Sequence, residues 1–305
     1  MGSMTGIDRI RLRDRRSFLL GAAAGVAVPL VGLGLWEATS GSSHPHASGA
    51  PSPASGATGS ATAPSAPPGV PTASSAASAP ALPVAAGPVS LDDWMLTLPV
   101  DKHGNLSGKA KQLQQAAVTA PWLVSNSDGS LSFWAPAAGA STSNSEHSRT
   151  ELVSTKDFTF GSGVHTLSAL VSVTQVPTSD PDICLGQVHG GGAIKSIPFV
   201  MLHWRDGSIV VIVKQELHGS HSQSITLLTG VPLNTRFAFS ITDNGDGTLG
   251  LAASCNGSTQ RATAQVVSAF MGTDQRFQVG DYQQAVSSSS ATDGGRATFY
   301  AINQS

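Results

Sequence analysis

From Val89 onward the chain predicts an all-β fold, a sandwich or jelly roll of antiparallel strands. Three observations carry this expectation. Apolar residues recur with period two in one short segment after another. The segments are separated by turns rich in Gly, Asn and Asp. Charge is scarce, with 17 Lys or Arg and 19 Asp or Glu among 305 residues, 12% against a usual share of about a quarter. A coiled coil or helical bundle would be rich in Glu, Lys and Leu, and a nucleic-acid binder would carry a basic excess. Both classes are excluded.

Two zones precede the folded part. Residues 1–40 hold five arginines, the pair Arg15-Arg16 followed by Ser17-Phe18-Leu19-Leu20, an apolar run to Trp36 and the small residues Ala38-Thr39-Ser40. That order of basic, apolar and small regions predicts a cleavable export signal, and the paired arginines before Phe-Leu resemble a twin-arginine signal. Residues 41–88 are mostly Ala, Ser, Pro, Gly and Thr, with two His (His44, His46). No Asp, Glu, Lys or Arg occurs from Ala38 to Leu91, and ten of the 18 prolines lie there. Such a stretch has too little apolar surface to offset chain entropy and reads as a disordered tether. The first 37 residues take five of the 17 basic and three of the 19 acidic groups, leaving 12 against 16, a net −4.

In the third zone, 89–305, the elements follow in order. Lys109 to Val118 is the one stretch that reads as a short helix. Leu167, Ala169, Val171 and Val173 face one way along a strand. Phe199, Met201 and His203 oppose Val200, Leu202 and Trp204 on another. Ser208 to Lys214 alternates again after Arg205-Asp206-Gly207, so these two segments form a hairpin. Phe237, Phe239 and Ile241 line a strand ending at Asn244-Gly245-Asp246-Gly247. Leu249 to Cys255 runs into the Asn256-Gly257 turn, and Arg296 to Ile302 closes the domain. Cys184 and Cys255 fall in separate strands and either pair or stay as two buried thiols.

Three segments carry polar groups where a core strand would carry aliphatics. Residues i and i+2 of a strand share a face about 6.5–7 Å apart. Arg149 and Glu151 are so placed, as are Gln187 and His189, and as are Gln278, Gly280, Tyr282 and Gln284. Burying such groups unpaired is costly, so these faces are expected to line one solvated groove. Gly280 is expected to leave room there for a ligand to approach the sheet. Each pair alone is an ordinary surface pattern; their joint occurrence in one β domain carries the weight.

The segments Arg149-Thr150-Glu151-Leu152, Gln187-Val188-His189 and Gly280-Asp281-Tyr282-Gln283-Gln284 resemble the three signature regions of polysaccharide lyase family 7, the alginate lyases. Leu91 to Val100 at the entry and Arg296 to Tyr300 at the end resemble the family as well, so the likeness spans essentially the whole folded part. It implies a jelly roll of two curved antiparallel sheets with an open cleft, and an acidic polysaccharide as partner. The mature domain is expected to be a monomer that engages neither nucleic acid nor membrane.

The chemistry follows from the groups themselves. β-Elimination on a 1,4-linked uronate removes H5, which lies α to the C6 carboxylate, and expels O4. The carboxylate charge must first be neutralised by fixed donors. Arg149 and Gln187 suit that task, and the resemblance assigns it to these positions. Tyr282 is the expected acid or acid and base, and His189, which titrates near neutrality unaided, the expected base or carboxylate-side donor. Glu151 is expected to orient Arg149. Gln278, Gln284, Lys214 and Lys195 complete the expected substrate-binding set. No metal or organic cofactor is needed, because the protein supplies the positive charge.

Two positions depart from the family pattern. Many members have an Arg where this chain has Val153 and a Lys where it has Gln278. Lys195, Arg205 and Lys214 are candidates to compensate. Val188 between Gln187 and His189 leans toward mannuronate-rich substrate, with glucuronan as the competing polymer. A glycoside hydrolase would need a flanking carboxylate pair, and a serine hydrolase Gly-x-Ser-x-Gly; neither pattern is present. His218-Gly219-Ser220-His221 with His203 has only incidental metal-ligand spacing. A non-catalytic carbohydrate-binding jelly roll is the remaining rival, although binding alone needs neither an acid nor a base.

Overall fold

The computed structural model describes residues 82, 84, 86–288 and 290–305. The expected export signal and nearly all of the tether therefore lie outside the described residues. Among the described residues fifteen strands follow one another. They are β1 (Trp94–Thr97), β2 (Gln112–Leu113), β3 (Leu123–Ser125), β4 (Leu131–Pro136) and β5 (Arg149–Thr159). Next come β6 (His165–Gln175), β7 (Asp182–Gly190), β8 (Pro198–Arg205), β9 (Ser208–Lys214) and β10 (Ser222–Leu228). The last are β11 (Phe237–Asp243), β12 (Thr248–Cys255), β13 (Ser258–Gln265), β14 (Asp274–Gln283) and β15 (Gly294–Gln304).

These strands form two antiparallel sheets. One has eight strands in the order β10-β9-β8-β7-β14-β5-β1-β2, the other seven in the order β13-β12-β11-β6-β15-β4-β3. The order interleaves early and late strands, as a jelly roll does and a simple meander does not. The core lies between the sheets. Leu167, Ala169, Val171 and Val173 of β6 point into it, as do Phe237, Phe239 and Ile241 of β11. They meet Leu152, Val188, Leu202, Val211 and Val279 from the eight-stranded sheet. Phe199 stacks on Phe270 with centroids 4.2 Å apart and meets Phe160 edge-on at 5.2 Å.

Turn chemistry sets the hairpins. Asp206 and Gly207, at φ 45° and 75°, connect β8 to β9, and Asn256 and Gly257, at 49° and 78°, connect β12 to β13. Positive φ at both central residues is the turn whose twist matches paired strands. The expected helix at Lys109 to Val118 is not formed. That stretch instead runs along β1, with Lys111 N–H bonded to Val100 O, Leu98 N–H to Lys111 O, and Ala116 N–H to Trp94 O. The pull of an open sheet edge overrides a weak helical pattern.

Alternation on β8 also departs from expectation. The β7–β8 register shifts between Val188 and His189, so Phe199 and Val200 both enter the core. Cys184 and Cys255 stand in different sheets as free thiols.

Candidate active site

The polar groups collect on the outward face of the eight-stranded sheet. Strand register builds rows across it. Arg149, Tyr282, Cys184 and His203 are cross-strand neighbours in one row. Val153, Gln278, Gln187, Met201 and Ile212 form a second. Arg276 faces His189, and Glu151 faces Gly280. A register shift between Cys184 and Gly186 makes this arrangement possible. It turns Leu185 and Gly186 inward and leaves Cys184 and Gln187 facing out. Bulges of this kind re-aim side chains beside active sites.

Glu151 is the hub. It is fully buried, accepts a hydrogen bond from Arg149 Nη1 at 3.1 Å, and accepts another from the Gln187 amide. Gln187 Nε2 also lies 3.3 Å from Gln278 Oε1. Burial pushes the Glu151 carboxyl above the usual carboxylate range, against the pull of Arg149 and Gln187. Burial opposes the charge on Arg149, but Tyr282 and Glu151 beside it outweigh that effect and hold the guanidinium protonated. The guanidinium carbon sits 3.5 Å from the Tyr282 ring centroid, a cation–π contact that fixes the phenol's plane.

His189 is strongly perturbed. Burial lowers its pKa to about 4; the Gly190 carbonyl opposes this, and Arg149 and Arg276 add to it. The ring is therefore neutral at ordinary pH. Nδ1 lies 3.3 Å from Gly190 O, which can only accept. The proton accordingly resides on Nδ1, and Nε2 presents a lone pair.

The remaining expected residues fall as follows. Gln284 lies just past β14, its amide donating to Tyr282 O at 2.8 Å. Lys214 is buried, and Nζ donates to Gly219 O at 2.7 Å, so its ammonium holds the 215–221 loop. Lys195 is exposed on the loop after β7. Arg205 is engaged by Asp182 at 2.6 Å and Arg276 by Asp157 at 3.1 Å. Each arginine on this face therefore has an acidic partner, and the compensation expected for Val153 and Gln278 does not take the form of unpaired arginines. Among the described residues no cluster of three or more His, Cys, Asp or Glu is placed to hold a metal.

Gly280 needs a different explanation from the expected one. A Cβ there would lie 2.5 Å from Thr150 O and 2.8 Å from Glu151 Cα, and would face Phe133 of the core. Its missing side chain allows β14 to approach β5 closely; it does not open space for ligand.

Four residues of the site surroundings carry no signal in the sequence. Ser145 Oγ lies 3.0 Å from Tyr282 Oη, and the His147 ring meets the Tyr282 ring edge-on at 6.1 Å. Both come from the segment between β4 and β5, which has no periodicity to reveal them. Asp182 binds His203 Nδ1 at 2.7 Å as well as Arg205, a pairing set by cross-strand register. Asp281 turns inward, where Oδ2 accepts Ala135 N–H at 3.1 Å.

An arginine, an amide, a neutral imidazole and a phenol lie on one face of a two-sheet jelly roll. That fold is the one polysaccharide lyases of the alginate lyase type share. The family model described as alginate lyase matches residues 89–305, and the chain belongs to that family, polysaccharide lyase family 7. Solved structures agree on the fold. An alginate lyase from Pseudomonas aeruginosa superposes with a TM-score of 0.62 at 24% identity, covering 71% of this chain and 99% of its own. Alginate lyase A1-II′, a member of polysaccharide lyase family 7, gives 0.58 at 25% identity over 70% of this chain and 95% of its own. An alginate lyase from Klebsiella pneumoniae gives 0.61 at 19%, with the same two coverages. No curated protein sequence matches the chain.

Proposed function

We propose that the chain is an exported, monomeric lyase that cleaves mannuronate-rich alginate within the polymer by β-elimination. It acts with Tyr282, His189, Gln187 and Arg149 as its catalytic groups. The observation that carries this reading is the stacked pair of Arg149 and Tyr282, tied through Glu151 to Gln187 and set beside a neutral His189.

Arg149 and Gln187 are held by one carboxylate and are therefore fixed before substrate arrives. Donors fixed in this way stabilise charge that develops in the transition state at no cost of reorganisation. Here that charge is the enolate-like dianion formed when H5 leaves a carbon next to a carboxylate. In mannuronate, H5 and O4 lie on the same side of the ring. The Tyr282 phenolate takes H5 and returns a proton to O4 as the C4–O4 bond breaks and the C4–C5 double bond forms. In guluronate the two lie on opposite sides. The Nε2 lone pair of His189 then takes H5, and Tyr282 protonates O4.

Val188 supports the mannuronate preference through the family likeness. Val153 and Gln278 depart from the family pattern, and glucuronan, whose sugar differs from mannuronate at C2, is the second reading. The Arg15-Arg16 signature supports export through a twin-arginine route. The test is to incubate the protein with polymannuronate, polyguluronate and glucuronan and follow absorbance of the new double bond. The fastest rise is expected on polymannuronate; a preference for glucuronan would transfer the reading to that polymer.

A further inference from the structure

We propose that Ser145 is a positioning residue for Tyr282, its hydroxyl serving the phenol in both protonation states. This rests on the assignment of Tyr282 as the group that exchanges a proton with the substrate.

The geometry around Ser145 Oγ is fully specified. His147 N–H donates to it at 3.0 Å, His147 O lies 3.2 Å away, and Tyr282 Oη lies 3.0 Å away. A hydroxyl has one proton and two lone pairs. With a neutral phenol, Oγ accepts from His147 N–H and from Tyr282 O–H, and gives its own proton to His147 O. With a phenolate, the Ser145 proton turns from the carbonyl to the phenolate oxygen, a charge-assisted bond stronger than the one it leaves. The same turn is required when the phenol points its proton at a leaving oxygen: Tyr282 Oη then needs a donor, and Ser145 supplies it. A single rotation about the Cβ–Oγ bond thus fits Ser145 to each state.

The segment carrying Ser145 is anchored on both sides. Ser145 N–H bonds to Thr142 O, Ala110 N–H bonds to Ser141 O, and buried Ser148 donates to Pro136 O and accepts from the Gln283 amide at 3.1 Å. Ser145 is therefore held against Tyr282 by bonds on both sides of it in the chain.

The sequence contains only two tyrosines, Tyr282 and Tyr300. In a Tyr300→Phe background, the near-ultraviolet phenolate band of the full chain reports Tyr282 alone. Ser145→Ala in that background is expected to develop the band at a higher pH than its parent, and Ser145→Thr is expected to restore it. On polymannuronate, Ser145→Ala is expected to lower kcat about tenfold to a hundredfold, with KM little changed and the Thr variant active. An unchanged phenolate titration in folded Ser145→Ala would overturn the proposal, because a purely structural turn would move stability and leave the titration alone. The titration needs no activity. If no polyuronate is cleaved, the functional assignment fails while the Ser145 contact is still read.

Discussion

Removing the charge of Glu151 offers a demanding test of how the site is built. Glu151→Gln keeps the volume but replaces a carboxylate that accepts from two donors, Arg149 Nη1 at 3.1 Å and the Gln187 amide. A glutamine can accept on one side only, so its own amide protons must face one of those donors. Arg149, only 7% exposed, is left as a buried cation without a counter-charge. Breaking a buried pair in this way costs about 3–5 kcal/mol. For a domain of this size each kcal/mol shifts Tm by about 2–4 °C, so a fall of about 6–20 °C is expected. The assay is thermal unfolding followed by circular dichroism, with an oligouronate added in a second series. The unpaired guanidinium should gain more from a bound carboxylate than the paired one does, so ligand should raise the variant's Tm more than the parent's. The double variant Arg149→Met/Glu151→Leu, with both charges gone, should be more stable than Glu151→Leu alone. A Tm within about 2 °C of the parent, with no extra response to ligand, would refute the view that Glu151 holds the site together.

Two further outcomes follow from the same sheet. Burial pushes the Asp281 carboxyl well above the ordinary carboxylate range, and Oδ1 has no partner. Its stabilisation is complete below the unfolded value near 4 and is lost as pH rises through the higher folded value. Asp281→Asn should therefore gain on the parent by about 1.4 kcal/mol per pH unit across that window; parallel urea midpoints at pH 5 and pH 8 would contradict this. Gly280→Ala would force a methyl group against Thr150 O and Glu151 Cα. It should cost about 1–3 kcal/mol and spread β14 from β5, and an unchanged Tm would show that the close approach is not needed.

Much of this was legible in the sequence because a strand shows its faces with period two. Leu167, Ala169, Val171 and Val173 all point inward as their alternation requires. Arg149, Glu151, Gln187 and Tyr282 share one outward face for the same reason. The failures have physical causes. A bulge has no sequence signature, so the inward turn at Phe199 and the backbone crowding at Gly280 stayed hidden. The extended run at Lys109 to Val118 depends on pairing with the edge of β1, a contact outside its own local pattern. Ser145 reaches Tyr282 from a loop, where side-chain direction has no period. Cation counts misled in another way: Arg205 and Arg276 do lie on the site face, but Asp182 and Asp157 neutralise them, and net charge cannot show pairing.

The central claim is that Tyr282 passes the proton in a cofactor-free β-elimination. The measurement that tests it most directly compares parent and Tyr282→Phe on polymannuronate, following absorbance of the C4–C5 double bond. The expected result is a steady rise with the parent and a rate at least about a hundredfold lower with the variant, its fold intact. Full activity in Tyr282→Phe, or no rise with the parent on any polyuronate, would contradict the account.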